Sequence, residues 1–201
     1  MKRLTVTCLA IVFVIACCAP PAVAQKYPER AITLVVPFPP GGLSDVPARI
    51  MAAELQSKIG VPVVIANRPG GSGVVGATSV WRAGPDGYTI LVNAISDVQN
   101  LYYLPVPYHA VKDFTPIGMV TDGPPLVLMV NAKTPYKTLT DLINTSKANP
   151  ASVSLASSGP ATSPAIIIAQ INAAAGTKIL EVPYRGTAPA ATAIMAGEVQ
   201  G

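Results

Sequence analysis

The chain has 201 residues, of which 50% are hydrophobic, 5% are aromatic and 12% are charged, with a formal net charge of +4. This composition excludes an intrinsically disordered polypeptide, which would be rich in charge and poor in apolar residues. The 21 prolines and 16 glycines follow no Gly-X-Y period, so a collagen-like fold is excluded as well.

The first predicted element is a secretory signal peptide over residues 1–24. Two basic residues, Lys2 and Arg3, precede an apolar run at residues 4–16, and Ala-Val-Ala at residues 22–24 fits the small-x-small cleavage pattern. We therefore expect export to the periplasm with loss of the leader. The remaining chain has no cluster of Lys and Arg, so its charge gives no reason to expect binding to nucleic acid.

All three cysteines, Cys8, Cys17 and Cys18, lie within the predicted leader. The exported chain would therefore contain no disulfide, no Cys nucleophile and no Cys metal ligand. The three residues before Cys17, Val-Ile-Ala, loosely fit the pattern at which bacterial lipoproteins are lipidated. Lipid anchoring at Cys17 is thus the alternative to soluble export.

Beyond the leader, short β-branched runs alternate with helical patterns. The predicted strands are 32–36, 61–66, 88–92, 126–130, 153–156 and 179–182, and the predicted helices are 45–59, 74–82, 139–147, 164–175 and 189–197. In the first helix, Val46, Ile50 and Ala53 at positions i, i+4 and i+7 indicate the apolar face. Such alternation predicts an α/β fold with parallel or mixed sheets.

The alternation lapses between Asn93 and Pro125, a stretch that contains five prolines. Irregular segments rich in proline commonly mark domain boundaries. We therefore predict a first α/β lobe over residues 25–123 and a second over residues 124–201.

The loop after the first strand, residues 37–45, is the first candidate ligand site. Gly41 and Gly42 allow a tight turn and a close approach of the backbone to a ligand, and Ser44 or Asp45 can cap the helix that follows. Amides at a helix N-terminus favour a carboxylate or a phosphate. An ordinary strand-to-helix connection with no ligand is the alternative.

A second loop of this kind spans residues 157–164, where Ser163 is a predicted N-cap and Pro164 the first helical residue. Its hydroxyl groups and its glycine offer uncharged contacts for an anion that must bind and leave. A merely solvated turn is the alternative. Because ligands of open α/β sheets bind at the carboxyl ends of strands, the two loops predict facing walls of one cleft.

Residues 71–76 match the dinucleotide-binding pattern G-x-G-x-x-G, and Asp97 follows at a suitable distance. Residues 67–70, however, separate this pattern from its strand, whereas a dinucleotide-binding turn begins at the strand end. An exported nucleotide-dependent enzyme is therefore the alternative function, and a Gly-rich turn that allows close helix packing is the alternative structural role.

Other catalytic signals are sparse. His109 is the only histidine, and no G-x-S-x-G pattern occurs. No pair of Cys or His stands at metal-ligand spacing, so a metal could be held only by scattered carboxylates. We therefore predict no catalytic residue, no metal site and no cofactor. Arg185 is the cationic residue that could contact an anionic ligand, although a solvent-facing role is equally consistent with the sequence.

Six segments, at residues 27–42, 67–76, 85–89, 113–116, 156–159 and 182–190, carry the motifs YPER with PFPPGG, NRPGG, PDGYT, DFTP, ASSG and VPYRG. In this order they closely resemble the Bug family, the periplasmic substrate-binding proteins of tripartite tricarboxylate transporters. The resemblance implies a type II periplasmic-binding-protein fold whose two lobes close on a small carboxylate-bearing anion. It also implies a monomer that passes its ligand to membrane transporter subunits.

The resemblance implies ligand contacts from both loops and from the segment after the last strand. These residues are Phe38, Gly41, Gly42, Ser44, Asp45, Ser157, Ser158, Gly159, Thr162, Ser163 and Tyr184. Ala161, Ala165, Ala169 and Ala193 replace a usual Gly, His, Glu and Asp of the family, which implies a different ligand selectivity in the second lobe. Relatives continue beyond Gly201, so the second lobe and its return to the first are expected to be incomplete, and a truncated, non-binding remnant is a further alternative.

Overall fold

The computed structural model describes residues 26–122 and 126–201. The predicted signal peptide, the alternative lipid site at Cys17 and the predicted boundary at residues 123–124 lie outside the described residues. Among the described residues, no helix combines the length and the apolar character that crossing a bilayer requires.

A three-stranded parallel sheet with strand order β2-β1-β3 forms the centre of the N-terminal lobe. The elements of this lobe are β1 (Ile32–Val36), α1 (Asp45–Ile59), β2 (Val63–Asn67), α2 (Val74–Ala83), β3 (Thr89–Leu91) and α3 (Ser96–Tyr103). A single 3₁₀ turn, Gly71–Gly73, lies between β2 and α2. The central strand β1 is apolar throughout except for one threonine, as expected for a parallel strand that is covered on both faces.

A two-stranded parallel sheet forms the centre of the C-terminal lobe. Its elements are α4 (Leu139–Ala148), β4 (Ser154–Ser157), α5 (Ser163–Ala175), β5 (Leu180–Pro183) and α6 (Thr187–Ala196). Each sheet has a core of its own: Leu34 and Val36 pack with Ala48 in the first, and Leu142 packs with Leu155 in the second. The structure therefore confirms an α/β fold built on parallel sheets.

Ten of the predicted elements are present, each with ends within two residues of the prediction. The predicted strand at 126–130 is wrong, because within the described residues this segment pairs with no strand and most of its side chains are exposed. A nearby backbone bond joins the Asn131 amide to the Gln200 carbonyl, just beyond the segment. An apolar β-branched run becomes a strand only where a neighbour accepts its ladder of hydrogen bonds.

The predicted apolar face of α1 is also wrong. Val46 and Ile50 are 50% and 64% exposed, whereas Ala48 and Ala52 are buried against the sheet. Alanine side chains let the helix axis approach the strands closely, so the small residues face the core although the larger ones define the apolar periodicity. α3 lies inside the stretch predicted to be irregular, and its buried residues, Ser96, Asp97 and Asn100, are polar and carry no apolar signal.

Candidate functional site

Five helices follow parallel strands, three in the N-terminal lobe and two in the C-terminal lobe. α1 follows β1, α2 follows β2, α3 follows β3, α5 follows β4 and α6 follows β5. In none of the five does the N-cap side chain make a capping hydrogen bond, whereas α4, which follows no strand among the described residues, begins with a complete capping box. Helix ends without side-chain caps are therefore concentrated on the side where α/β sheets bind ligands.

The backbone amides at the starts of these helices are bonded differently in the two lobes. In the N-terminal lobe, the amides of Asp45 and Val46 both donate to the Gly42 carbonyl, which already satisfies the start of α1. In the C-terminal lobe, the amides of Ser163 and Thr187 donate to no group among the described residues. The starts of α5 and α6 consequently retain donors that an anion could use.

Asp45 determines the shape of the first loop. Its side chain is 1% exposed, and Oδ2 accepts 2.8 Å hydrogen bonds from the Gly41 amide and from Arg49 Nε, while Oδ1 accepts one of 2.8 Å from Asn67. Burial raises the pKa of Asp45, but the hydrogen bonds from Arg49, Asn67 and Gly41 outweigh it and lower the pKa to about 2. The carboxylate therefore stays ionised, with its oxygens turned to loop 37–45 and its neighbours.

In the second loop, the hydroxyl groups of Ser157 and Thr162 hold the backbone in place by hydrogen bonds. Ser157 is 1% exposed, donates to Glu181 and accepts from the Gly159 amide at 3.2 Å. The Thr162 hydroxyl donates to the Gly159 carbonyl at 2.6 Å. These buried hydroxyls hold Gly159 in place, which leaves Ser158 as the hydroxyl of this loop that faces open space between the lobes.

A cavity of about 160 Å³ lies between the lobes. Its lining comprises Phe38, Gly70, Gly71, Ser72, Gly73, Ser158, Gly159, Pro160, Pro183, Tyr184 and Arg185. No Asp or Glu is among these residues, and Arg185 makes no salt bridge within the described part of the chain. The cavity therefore combines amide and hydroxyl groups with one cation, a setting that favours an anion.

Four of the predicted contact residues line this cavity, namely Phe38, Ser158, Gly159 and Tyr184. The lining does not include Gly41, Gly42, Ser44, Asp45, Ser157, Thr162 or Ser163, which lie in the loops behind it or beside it. Burial raises the pKa of Tyr184, and the nearby Glu198 raises it further, so the phenol is neutral. A larger depression of about 360 Å³ lies on α1 and β2, away from the strand ends.

The turn Gly71–Gly73 forms one wall of the cavity. Its sequence pattern predicted a ligand role only in the alternative of a nucleotide-dependent enzyme, and it was not among the predicted contacts for an anion. The signal was present in the G-x-G-x-x-G pattern, but the last glycine serves packing. A Cβ at Gly76 would lie 2.7 Å from Pro37 Cβ and 3.0 Å from the Arg68 carbonyl oxygen. This contact supports the structural alternative, in which the glycine lets α2 pack closely against the loop after β1.

The family model and the curated relatives that match this chain are consistent with each other. The family model described as "Tripartite tricarboxylate transporter family receptor" matches residues 47–201. Among curated relatives, a "UPF0065 protein in tcbD-tcbE intergenic region" of Pseudomonas sp. is 40% identical over 176 residues, covering 87% of this chain and 52% of its own. The protein BugT of Bordetella pertussis is 38% identical over 184 residues, covering 90% of this chain and 56% of its own. The chain thus spans about half the length of the curated relatives it matches.

Solved structures agree with this result. MatC from Rhodopseudomonas palustris with bound malate matches with a TM-score of 0.78 at 30% identity, covering 87% of this chain and 60% of its own. The periplasmic binding protein BugD matches with a TM-score of 0.76 at 32% identity, covering 87% and 58%. An R. palustris protein with adipate gives 0.77 at 30%, covering 87% and 59%. The chain therefore belongs to the tripartite tricarboxylate transporter receptor family, whose structural neighbours are periplasmic solute-binding proteins and not enzymes.

Proposed function

We propose that this protein is a periplasmic receptor that binds a small carboxylate-bearing anion in the cavity between its lobes and delivers it to a tripartite transporter. The observation that carries the proposal is the composition of the cavity wall. Arg185 is the charged side chain of that wall, and the other polar contacts are hydroxyls and main-chain groups. An anion entering this space would meet a cation and no carboxylate.

The volume of the cavity limits the size of the ligand. Pockets for drug-sized molecules typically measure about 300 Å³ or more, and this one measures about 160 Å³. We therefore propose an aliphatic mono- or dicarboxylate of a few carbon atoms. Two neighbours were solved with adipate and with malate, which supports a ligand of this chemistry without specifying which one.

The proposed contacts combine the sequence prediction with the cavity. Phe38, Ser158, Gly159 and Tyr184 would contact the ligand together with Arg185. The remaining predicted residues, Gly41, Gly42, Ser44, Asp45, Ser157, Thr162 and Ser163, would shape the two loops. The Ser163 and Thr187 amides would add donors where the ligand reaches the starts of α5 and α6.

The cellular setting belongs to the same proposal. A signal peptide at residues 1–24 would direct the chain to the periplasm, with lipid anchoring at Cys17 as the alternative. The receptor would act as a monomer with transporter subunits in the membrane as its partners. Mass spectrometry of the processed N-terminus distinguishes a chain that begins at Gln25 from a lipid-modified Cys17.

A thermal-shift experiment tests the binding proposal. Malate, adipate and citrate should be compared with the diamides of malate and adipate, because a ligand that binds only the folded state raises the Tm. We expect a Tm rise with at least one carboxylate and none with its diamide. If every carboxylate leaves the Tm unchanged while the unfolding transition is cooperative, the proposal is wrong.

A pair of arginine variants locates the bound anion. Arg185→Gln should weaken binding of the carboxylate about 10-fold, because a hydrogen-bonded charge contact contributes roughly 1.5 kcal/mol. Arg30→Gln is the matched control, since Arg30 is exposed and pairs with Asp86 in the segments that precede β1 and β3. Equal losses in both variants would point to a non-specific charge effect and contradict the proposed site.

A further inference from the structure

Ser72 lies at the point where the two lobes touch. It is the middle residue of the turn Gly71–Gly73, and its hydroxyl donates a hydrogen bond to the Pro160 carbonyl of the opposite lobe. Ser72 is 8% exposed, and both partners of this hydrogen bond line the cavity of about 160 Å³. The contact therefore spans the cleft beside the space proposed for the ligand.

The backbone on both sides of this contact is strained. Ser72 has φ 54°, and Ala161, next to Pro160, has φ 59°, so two non-glycine residues occupy the left-handed region. This region is unfavourable for a residue that carries a Cβ, and residues remain in it only where their surroundings enforce the conformation. They cluster at ligand clamps and switch regions, and here one lies on each side of the cleft.

The opposite lobe leaves room for the serine. Gly159 has φ 129°, and a Cβ there would lie 2.7 Å from Ser72 Oγ, closer than atoms pack. A second close approach occurs nearby, where a Cβ at Gly186 would lie 2.8 Å from Pro39 Cδ. The two lobes thus meet at positions where only glycine permits the contact.

Residues behind the turn hold Ser72 in place. The Asn100 side chain, 0% exposed, donates a 3.1 Å hydrogen bond to the Ser72 carbonyl. On the next residue, a Cβ at Gly73 would lie 3.2 Å from Asp97 Oδ1. α3 therefore supports the turn from the core side, while the hydroxyl of Ser72 is directed at the other lobe.

We propose that Ser72 is a latch between the lobes. Its hydrogen bond to the Pro160 carbonyl forms when the cleft is closed and breaks when it opens, so the latch favours the closed state and slows release of a bound anion. The effect on ligand release rests on the proposed function, whereas the effect on closure does not. Ser72 acts as a positioning residue that sets how long the walls of the cavity stay together.

Two substitutions separate the hydroxyl from the strain. Ser72→Ala removes the hydroxyl and keeps a Cβ at φ 54°, whereas Ser72→Gly removes the hydroxyl and also relieves the strained conformation. Ser57→Ala is the matched control, because the Ser57 hydroxyl donates to the Glu54 carbonyl within α1. If the latch depends on the hydroxyl, both Ser72 variants should open the cleft and the control should not.

Closure can be measured without ligand. Spin labels at Lys58→Cys and Lys147→Cys, one on an exposed part of each lobe, report the distance between lobes when Cys8, Cys17 and Cys18 are replaced by Ser. We expect Ser72→Ala and Ser72→Gly to shift the distribution towards longer distances. Unchanged distributions in both variants would overturn the latch, whatever the outcome of the ligand screen.

The kinetic consequence is measured with malate or adipate, whichever raises the Tm of the unmodified chain. Loss of one hydrogen bond predicts that the dissociation rate of this probe rises about 2- to 10-fold in both Ser72 variants. The association rate should change less, as is usual among variants of one site. A dissociation rate equal to that of Ser57→Ala would overturn the latch, while failure of both probes to bind the unmodified chain would contradict the proposed function and leave the distance measurement to decide the latch.

Discussion

Two buried carboxyl groups of the N-terminal lobe, Asp45 and Asp97, are each 1% exposed and each lie in the first turn of a helix, yet their environments are opposite. Asp45 accepts hydrogen bonds from Gly41, Arg49 and Asn67. Neither oxygen of Asp97 has a hydrogen-bond partner among the described residues. Burial alone therefore does not determine the charge of a carboxyl group in this fold, because the number of donors around it differs.

The pKa values express this difference. Burial raises the pKa of Asp97 to about 7; the Ala94 amide and the Tyr108 hydroxyl lie nearby but form no well-aligned hydrogen bond to it, so they oppose the shift only in part. At Asp45 the donors outweigh burial, and the pKa is about 2. Burial and then the charge of Asp97 raise the pKa of Tyr108 to about 12, so this phenol is neutral. Asp45 is ionised and holds loop 37–45 by its hydrogen bonds. Asp97 destabilises the fold when it is ionised, and this destabilisation disappears when it is protonated.

The largest expected effect is on Asp45. Asp45→Ala removes the acceptor shared by Gly41, Arg49 and Asn67 and should lower the free energy of unfolding by about 3 kcal/mol, the lower end for breaking a buried pair because Arg49 is half exposed. Urea denaturation at pH 7 measures this change. Asp86→Ala, at an exposed ion pair, should cost less than about 1 kcal/mol. Similar losses in the two variants would contradict the role given to Asp45.

Removing the charge of Asp97 should raise the free energy of unfolding, whereas Asp45→Ala should lower it. The folded pKa of about 7 lies above 3.8, the value for an unburied Asp, so the contribution of Asp97 to stability is fully present below pH 4 and is lost as the pH rises towards 7. Asp97→Asn should therefore increase the free energy of unfolding by about 2 kcal/mol at pH 8, half of the limit that the shift sets at 1.36 kcal/mol for each pKa unit. Urea denaturation at pH 8 and at pH 4 tests this, and an equal change at both pH values would contradict it.

The acid side of the pH profile should depend on Asp45. Its folded pKa of about 2 lies below 3.8, so its contribution is present above pH 4 and is lost as the pH falls towards 2. In Asp45→Asn, the decline in Tm between pH 4 and pH 2 should be shallower than in the unmodified chain. If the two slopes are the same, other carboxyl groups account for the acid sensitivity.

Helix caps extend the comparison to smaller effects. Thr138 accepts a hydrogen bond from the Asp141 amide in a complete capping box, whereas the Ser44 side chain caps nothing. Thr138→Ala should lower the free energy of unfolding by about 1 kcal/mol, and Ser44→Ala should change it by less than about 0.5 kcal/mol. Urea denaturation of both variants provides the test. A larger loss at Ser44 would show that this residue caps α1 in solution.

Sequence patterns predicted the elements of this fold well where apolar residues and turn residues agree. β1 and α1 begin and end at the predicted residues because a β-branched run, a double glycine and a final glycine mark their limits. α3 was missed because its buried residues are polar, and the strand at 126–130 was wrong because it lacks a pairing partner. Periodicity describes a segment, but it does not describe what lies beside that segment.

Only part of the candidate site was predicted, because local patterns locate loops at strand ends but do not show which segments lie opposite them. The second loop follows a strand, and a general rule for parallel sheets placed it at the cleft, where Ser158 and Gly159 line the cavity. Tyr184, which the family resemblance implied as a contact, lines the same cavity. The turn Gly71–Gly73 was not predicted to be a wall of the cavity, since its glycine pattern suggested either a nucleotide or close packing. The packing of α2 and α3 places this turn against the second lobe, and no local sequence pattern predicts that packing.

The sequence by itself determined the α/β class, the order of ten strands and helices, the family resemblance and the two loops at strand ends, because these follow from local periodicity, turn residues and motifs. Tertiary structure decided which groups are partnered. Asp45 and Asp97 are the same residue type in similar helical positions. Asp45 accepts hydrogen bonds from its neighbours Gly41 and Arg49 and from the distant Asn67, whereas burial dominates at Asp97, so their pKa values are about 2 and about 7. The contact of Ser72 with Pro160 likewise joins residues far apart in the chain, so no sequence pattern specifies it.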